Sequence, residues 1–208
     1  MNLLATTFTF ETATFVPLAI GFFGLGVGYL TWGGFAFLGW PRVNPAVPEE
    51  SELAINRSLG LWGIWMPGFM QFLTGLYLAV GLTWFKVFDA KPLMMAALAF
   101  TAYGVHWFVL GYRRYVTAST GPDAFMALAF AALSILGALV FWHAADRPTF
   151  GLFVGLSLVY LTEIPTRFKL LPGGEKLVGF WQLATGLWLM YLTFGVILGP
   201  TNGWDILF

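Results

Sequence analysis

The chain has 208 residues, of which 59% are hydrophobic and 10% charged, with ten basic and ten acidic side chains and no cysteine. A soluble domain carries roughly a quarter of its residues as charges, so this composition, with a mean hydropathy of +0.79, excludes a soluble fold. Zero formal charge and the absence of a basic run exclude nucleic acid as a partner. The lack of cysteine removes disulfides, thiol nucleophiles and thiolate metal sites together.

Charges punctuate the chain, and the apolar gaps between them predict the elements. Met1 to Thr14 lacks the basic stretch of a secretory signal, so none is expected there. The first span is Phe15 to Leu38, within a gap that runs from Glu11 to Arg42. The loop from Gly39 to Ser58 follows, with Pro41, Pro45 and Pro48 beside Glu49, Glu50 and Glu52. The next gaps run from Arg57 to Lys86, Lys91 to Arg113 and Asp123 to Asp146. The fifth lies between Arg147 and Arg167, broken only by Glu163, and the sixth from Lys176 to about Leu198. A helix needs about 20 apolar residues to cross a bilayer, and backbone groups in lipid must be satisfied internally. The expectation is therefore a single all-α transmembrane domain over residues 1–208, six helices in a compact bundle.

Orientation follows the basic residues. Arg42, Arg57, Arg113, Arg114, Arg167, Lys169 and Lys176 fall at one end of the spans, and Lys86, Lys91 and Arg147 at the other. The richer end is expected in the cytoplasm and both termini outside, in a multi-pass plasma membrane protein. Glycines crowd the first two spans, Gly21, Gly24, Gly26 and Gly28, then Gly60, Gly63, Gly68 and Gly75. They predict close helix packing, because small residues let backbones approach. Pro67, in the middle of the second span, predicts a kink.

Polar groups inside the spans are few: Gln71, Tyr103, His106, Glu163 and Gln182, with scattered threonines. His106 and His143 are too few for a metal or haem site, and no Ser–His–Asp set, P-loop or dinucleotide fingerprint occurs. The chain is thus read as non-enzymatic, with no cofactor and no metal. Glu163 is the acid deepest in a span, which makes it a functional candidate or, alternatively, a helix-end partner of Arg167 four residues on. Gln71 and His106 join it as candidates for lining or gating a pore.

In the third span, Ala99-Phe100-Thr101-Ala102-Tyr103-Gly104-Val105-His106-Trp107 resembles the AFTxYGxxW signature of the acetate uptake transporter family, which includes bacterial succinate–acetate permeases. Gly68 to Gly75 with Gln71 is similar to that family's GxxQxxxG, and Pro17-Leu18-Ala19-Ile20 followed by Phe22-Phe23-Gly24 to its PLGL and Phe-Gly. The glycines and tyrosine from Gly179 to Gly195 keep the family's spacing in the sixth span. The resemblance implies a hexameric ring of six-helix protomers, each conducting small monocarboxylates such as acetate with protons. It also implies a hydrophobic constriction, carried over to Phe23, Tyr103 and Leu156, with the Tyr103 hydroxyl free to donate to the solute. Thr14-Phe15 stands where the family has Asn-Pro, and the expected orientation is opposite to its typical members. That orientation, with Thr162-Glu163, Lys169 and Lys176 around the last loop, is similar to the proton-gated urea and short-chain amide channels. A small amide is thus the alternative solute, and a non-conducting accessory subunit of a membrane complex a second alternative.

Overall fold

The computed structural model describes residues 15–203, with side chains from 18 to 199. Met1 to Thr14 lies outside the described residues, so of the Thr14-Phe15 pair only Phe15 is described. The described residues are helical, and among them are six helices long and apolar enough to cross a membrane. Helix α1 runs from Phe15–Gly33 and continues through a wide π-helical turn, Gly34–Leu38. The others are α2 (Glu52–Thr83), α3 (Pro92–Val116), α4 (Asp123–His143), α5 (Arg147–Arg167) and α6 (Gly174–Asn202).

Most of these limits coincide with the charge gaps, and the differences have local causes. Helix α2 starts at Glu52, inside the expected loop, because the Ser51 side chain accepts from the Ala54 amide and caps the first turn. Arg57 is therefore a helical residue. Helix α6 starts ahead of Lys176, because Gly173 takes a left-handed φ of 73° and lets the chain turn in at Gly174. At Pro67, which has no amide to donate, α2 widens into the π-helical segment Ile64–Phe69 and resumes as an α-helix at Met70.

The bundle is built from antiparallel pairs. Helix α1 packs chiefly on α6, α2 on α3, and α4 on α5, while α5 also packs on α6. Glycine sets how close two of these pairs come. A Cβ on Gly60 of α2 would lie 2.6 Å from the carbonyl oxygen of Gly111 in α3, and one on Gly111 equally near that of Gly60. Between α1 and α6, a Cβ on Gly33 would lie 2.8 Å from the Gly179 carbonyl oxygen, and one on Gly179 would lie 2.7 Å from the Phe37 amide nitrogen. Side chains outside these seams, among them Trp62, Trp65, Leu139, Leu187 and Phe194, are exposed on the bundle's surface, as lipid contact requires.

One end of the bundle gathers the charges that helix dipoles favour. Arg113, Arg114 and Arg167 occupy the last turns of α3 and α5, while Asp123 and Glu175 occupy the first turns of α4 and α6. Antiparallel packing puts those C-termini and N-termini side by side, so opposite charges meet. Arg113 pairs with Asp123, and Arg167 with both Glu163 at 2.9 Å and Glu175 at 2.7 Å. The ion pairs thereby tie α3 to α4 and α5 to α6.

Candidate permeation path

Position 103 is where the apolar interior first turns polar. Helices α1, α3, α5 and α6 each present one stripe to a cavity of about 430 Å³, which reaches the bundle's other end at Ala90 and Asp146. Its deeper wall is Phe22, Leu25, Phe100, Leu156, Gln71 and Tyr103. Phe22 packs against Phe100 with ring centroids 5.6 Å apart. At the rim, Asp146 caps α5, its side chain accepting from the Thr149 amide at 3.0 Å. Asp146 is the one charged residue in the lining among the described residues.

The cavity ends on an aromatic plug. Tyr103 stacks on Tyr160 with centroids 6.0 Å apart, and Phe130 lies 5.2 Å from Tyr103 and 4.3 Å from His106. Tyr29, Trp107 and Trp32 continue the cluster, with Trp107 5.8 Å from Tyr29 and 4.7 Å from Trp32. Behind it is a chamber of about 30 Å³, walled by Tyr29, His106, Trp107, Tyr160, Glu163 and Gln182, which is about the room one water needs. Trp107, Tyr29 and Leu156 are all nearly sealed from outside.

Beyond the chamber is a third space, about 540 Å³, at the ion-paired end. It shares Trp32, Arg113, Arg167 and Gln182 with the chamber and adds Arg114, Asn56, Glu52 and Glu175. Arg114 is held by stacking on Trp32 at 4.6 Å and Phe35 at 5.2 Å, and its Nε donates to Asn56 at 2.8 Å.

The three spaces follow one another at helical spacing. Helix α1 passes from Phe22 and Leu25 to Tyr29 and Trp32, and α3 from Phe100 and Tyr103 to Trp107 and Leu110. Helix α5 passes from Leu152 and Leu156 to Tyr160 and Glu163. Steps of three and four keep these residues on one face of each helix, so the cavities lie end to end through a single protomer.

Of the expected site residues, the structure brings Gln71, Tyr103 and Leu156 together around the deep end of the first cavity. His106 and Glu163 line the chamber a turn or two farther on. Phe23 does not join them. It is 41% exposed on the bundle's surface, whereas Phe22 is 4% exposed and lines the cavity. Neighbours on a helix point about 100° apart, so a one-residue choice decides which phenylalanine faces inward. Glu163 is buried and receives Arg167 Nε at 3.0 Å, the helix-end pairing that stood as its alternative.

Tyr103 also differs from expectation. Its hydroxyl lies 2.7 Å from Ser134 Oγ, and Ser134 donates its own proton to the Phe130 carbonyl at 2.7 Å. Ser134 has one proton to give, so Tyr103 is the donor between them. The phenolic proton is committed to α4, and what Tyr103 offers the cavity is an acceptor oxygen. Buried polar atoms without a hydrogen bond among the described residues include Gln71 Oε1, on a residue that lines the first cavity, and Trp107 Nε1 and Arg113 Nε, on residues that line the chamber.

Sequence reading missed Phe100, Trp107 and Tyr160. Each lies three or four residues from Tyr103 or Leu156, so extending those positions along the helix period would have found them. Arg113 with Asp123 was not paired either, although helix-end charge rules on adjacent antiparallel helices point to it.

No family model matches the chain, and no curated protein matches it.

Proposed function

We propose that the protein is a plasma membrane transporter or channel for small monocarboxylates such as acetate, moved together with protons through each protomer. Its likeness to the acetate uptake transporter family in α1, α2, α3 and α6 supports this reading. The observation that carries it is the run of cavity, aromatic plug, chamber and third space along continuous faces of α1, α3 and α5. An apolar constriction resists entry of hydrated ions while admitting a small desolvated solute. Phe22, Tyr103 and Leu156 form the constriction in this proposal, with Phe22 in place of Phe23. The ion-paired end faces the cytoplasm, and six protomers form a ring.

A second reading, a urea or short-chain amide channel, is favoured by the charge of the first cavity. Its lining contains a carboxylate and no cation among the described residues, so a neutral amide meets no electrostatic barrier there.

In proteoliposomes, labelled acetate uptake is expected above that of empty liposomes and stimulated by an inward proton gradient. Uptake equal to empty liposomes overturns the monocarboxylate reading. Flux of acetamide without flux of acetate selects the amide instead. Native mass spectrometry tests the ring, for which a six-fold mass is expected.

A further inference from the structure

Gln71 is 1% exposed and lies where α2 touches the deep end of the first cavity. Such a residue normally satisfies its carboxamide within the protein, yet its Oε1 has no partner among the described residues. Of the polar side chains in the lining, Tyr103 and Asp146 offer acceptors, and the Thr149 hydroxyl stands at the rim. Tyr103 has given its proton to Ser134, and Asp146 at the rim is a carboxylate. The cations beside the rim in sequence, Lys91 and Arg147, are not part of the lining, and Arg147 lies over the Trp142 ring at 3.9 Å. The titratable groups facing the cavity among the described residues are Tyr103 and Asp146.

We infer that Gln71 is the recognition group of a binding site for a neutral carboxylic acid or primary amide, and that the solute enters the cavity undissociated. The argument is one of complementarity. A carboxamide presents one acceptor and one donor edge, and a carboxylic acid or primary amide presents the matching donor and acceptor, so the two close a paired ring of hydrogen bonds. Exchanging the Gln71 oxygen and nitrogen leaves the same complement. A carboxylate has acceptors alone. It satisfies the Gln71 NH₂ but leaves Oε1 buried and unpaired, and it carries a charge into an apolar space that holds no cation. The apolar wall of Phe22, Leu25, Phe100 and Leu156 is then the seat of the solute's hydrocarbon end. The volume, about 430 Å³, leaves room for chains longer than two carbons.

This inference deepens the proposed function and rests on it for one consequence. The proton travels on the solute as its O–H, leaves when the acid dissociates in water on the far side, and crosses without net charge. No side chain of the path needs to titrate.

Binding tests the site separately from flux. Saturation-transfer NMR on the full chain in detergent micelles is run with acetamide, which does not ionise, and with acetate across a pH range. Acetamide is expected to bind with an affinity independent of pH. The apparent affinity for total acetate is expected to fall about tenfold for each pH unit above the acid's own pKa, as the undissociated fraction falls. Gln71→Leu is expected to weaken both about tenfold or more, because it removes both hydrogen bonds at nearly constant volume. Acetate affinity that is flat or rises with pH while acetamide does not bind overturns the inference, as does Gln71→Leu binding both like the wild type. The pH comparison uses the wild-type chain, so it decides the matter even if Gln71→Leu does not fold. Acetate flux that follows the anion, with binding as described, would overturn the neutral-passage consequence alone. Binding without any flux would overturn the transport proposal and leave the site standing.

Discussion

The two ends of the candidate path handle polarity in opposite ways. At the ion-paired end, Arg113, Asp123, Glu163, Arg167 and Glu175 are matched across four helices, so charge there holds the bundle together. In the cavity beyond the plug, the polar groups at the deep end are the Tyr103 hydroxyl, bonded to Ser134, and a carboxamide whose oxygen is buried without a partner. The first arrangement matches charge against charge, although Arg113 Nε there has no hydrogen-bond partner among the described residues. The second is incomplete by itself, and an incomplete buried polar group is where a solute can contribute binding energy. Under the proposed function the contrast puts stability at one end and recognition at the other, and substitutions at each should separate the two.

The largest effect is expected from Arg167→Ala. It leaves Glu163, 5% exposed, without its cation, and an orphaned buried charge costs about 3–5 kcal/mol. A large drop in the thermal unfolding midpoint in detergent is expected. A midpoint like the wild type's would show that the network is dispensable and remove one side of the comparison.

Leu156→Ala comes next. Leu156 is 1% exposed beside the plug, and truncating a buried leucine costs about 2–5 kcal/mol. Because the lost volume opens toward Tyr160 and the chamber, flux per folded protein should rise, with weaker discrimination against larger acids. Lost stability with unchanged flux would make Leu156 ordinary packing.

Tyr103→Phe removes one neutral hydrogen bond and leaves Ser134 bonded to Phe130. The expected loss is about 0.5–1.5 kcal/mol, and selectivity should change more than abundance. Equal losses of folded protein and flux would indicate a structural tyrosine. Glu163→Gln sharpens the point, since a paired carboxylate outside the transport cycle should leave the pH profile of flux unchanged. A shifted profile would bring the ion-paired end into the mechanism.

The smallest effects lie at the margins. Glu175 has a 63% exposed side chain, and Glu175→Gln should cost less than about 1 kcal/mol. At the proposed recognition end, Gln71→Leu should be neutral or slightly stabilising, because it deletes an unpaired buried group, even as it weakens solute binding about tenfold or more. A substantial loss of stability from Gln71→Leu would mean that the carboxamide is satisfied inside the protein, and the contrast between the ends would collapse.

Much of the architecture is legible in the sequence because a bilayer punishes charge at every depth. Arg42, Lys86, Lys91, Asp123 and Arg147 therefore mark span limits almost to the residue. The glycine-lined seams were equally visible, since close approach demands a missing side chain wherever two backbones meet. Helix starts were less legible. Ser51 and Gly173 begin α2 and α6 through cap geometry that hydropathy does not register.

The sequence by itself thus determined six spans, their lengths and the places where helices can touch, because each follows from the local cost of putting a residue in lipid. Only the tertiary structure decided that Phe22 rather than Phe23 faces the path. A rotation of about 100° per residue has no meaning until the helix has neighbours. It also decided that the Tyr103 proton belongs to Ser134, thirty-one positions away, and that Gln71 has no partner for its oxygen. Hydrogen-bond satisfaction depends on which helices meet, and residue type along a single helix does not encode it.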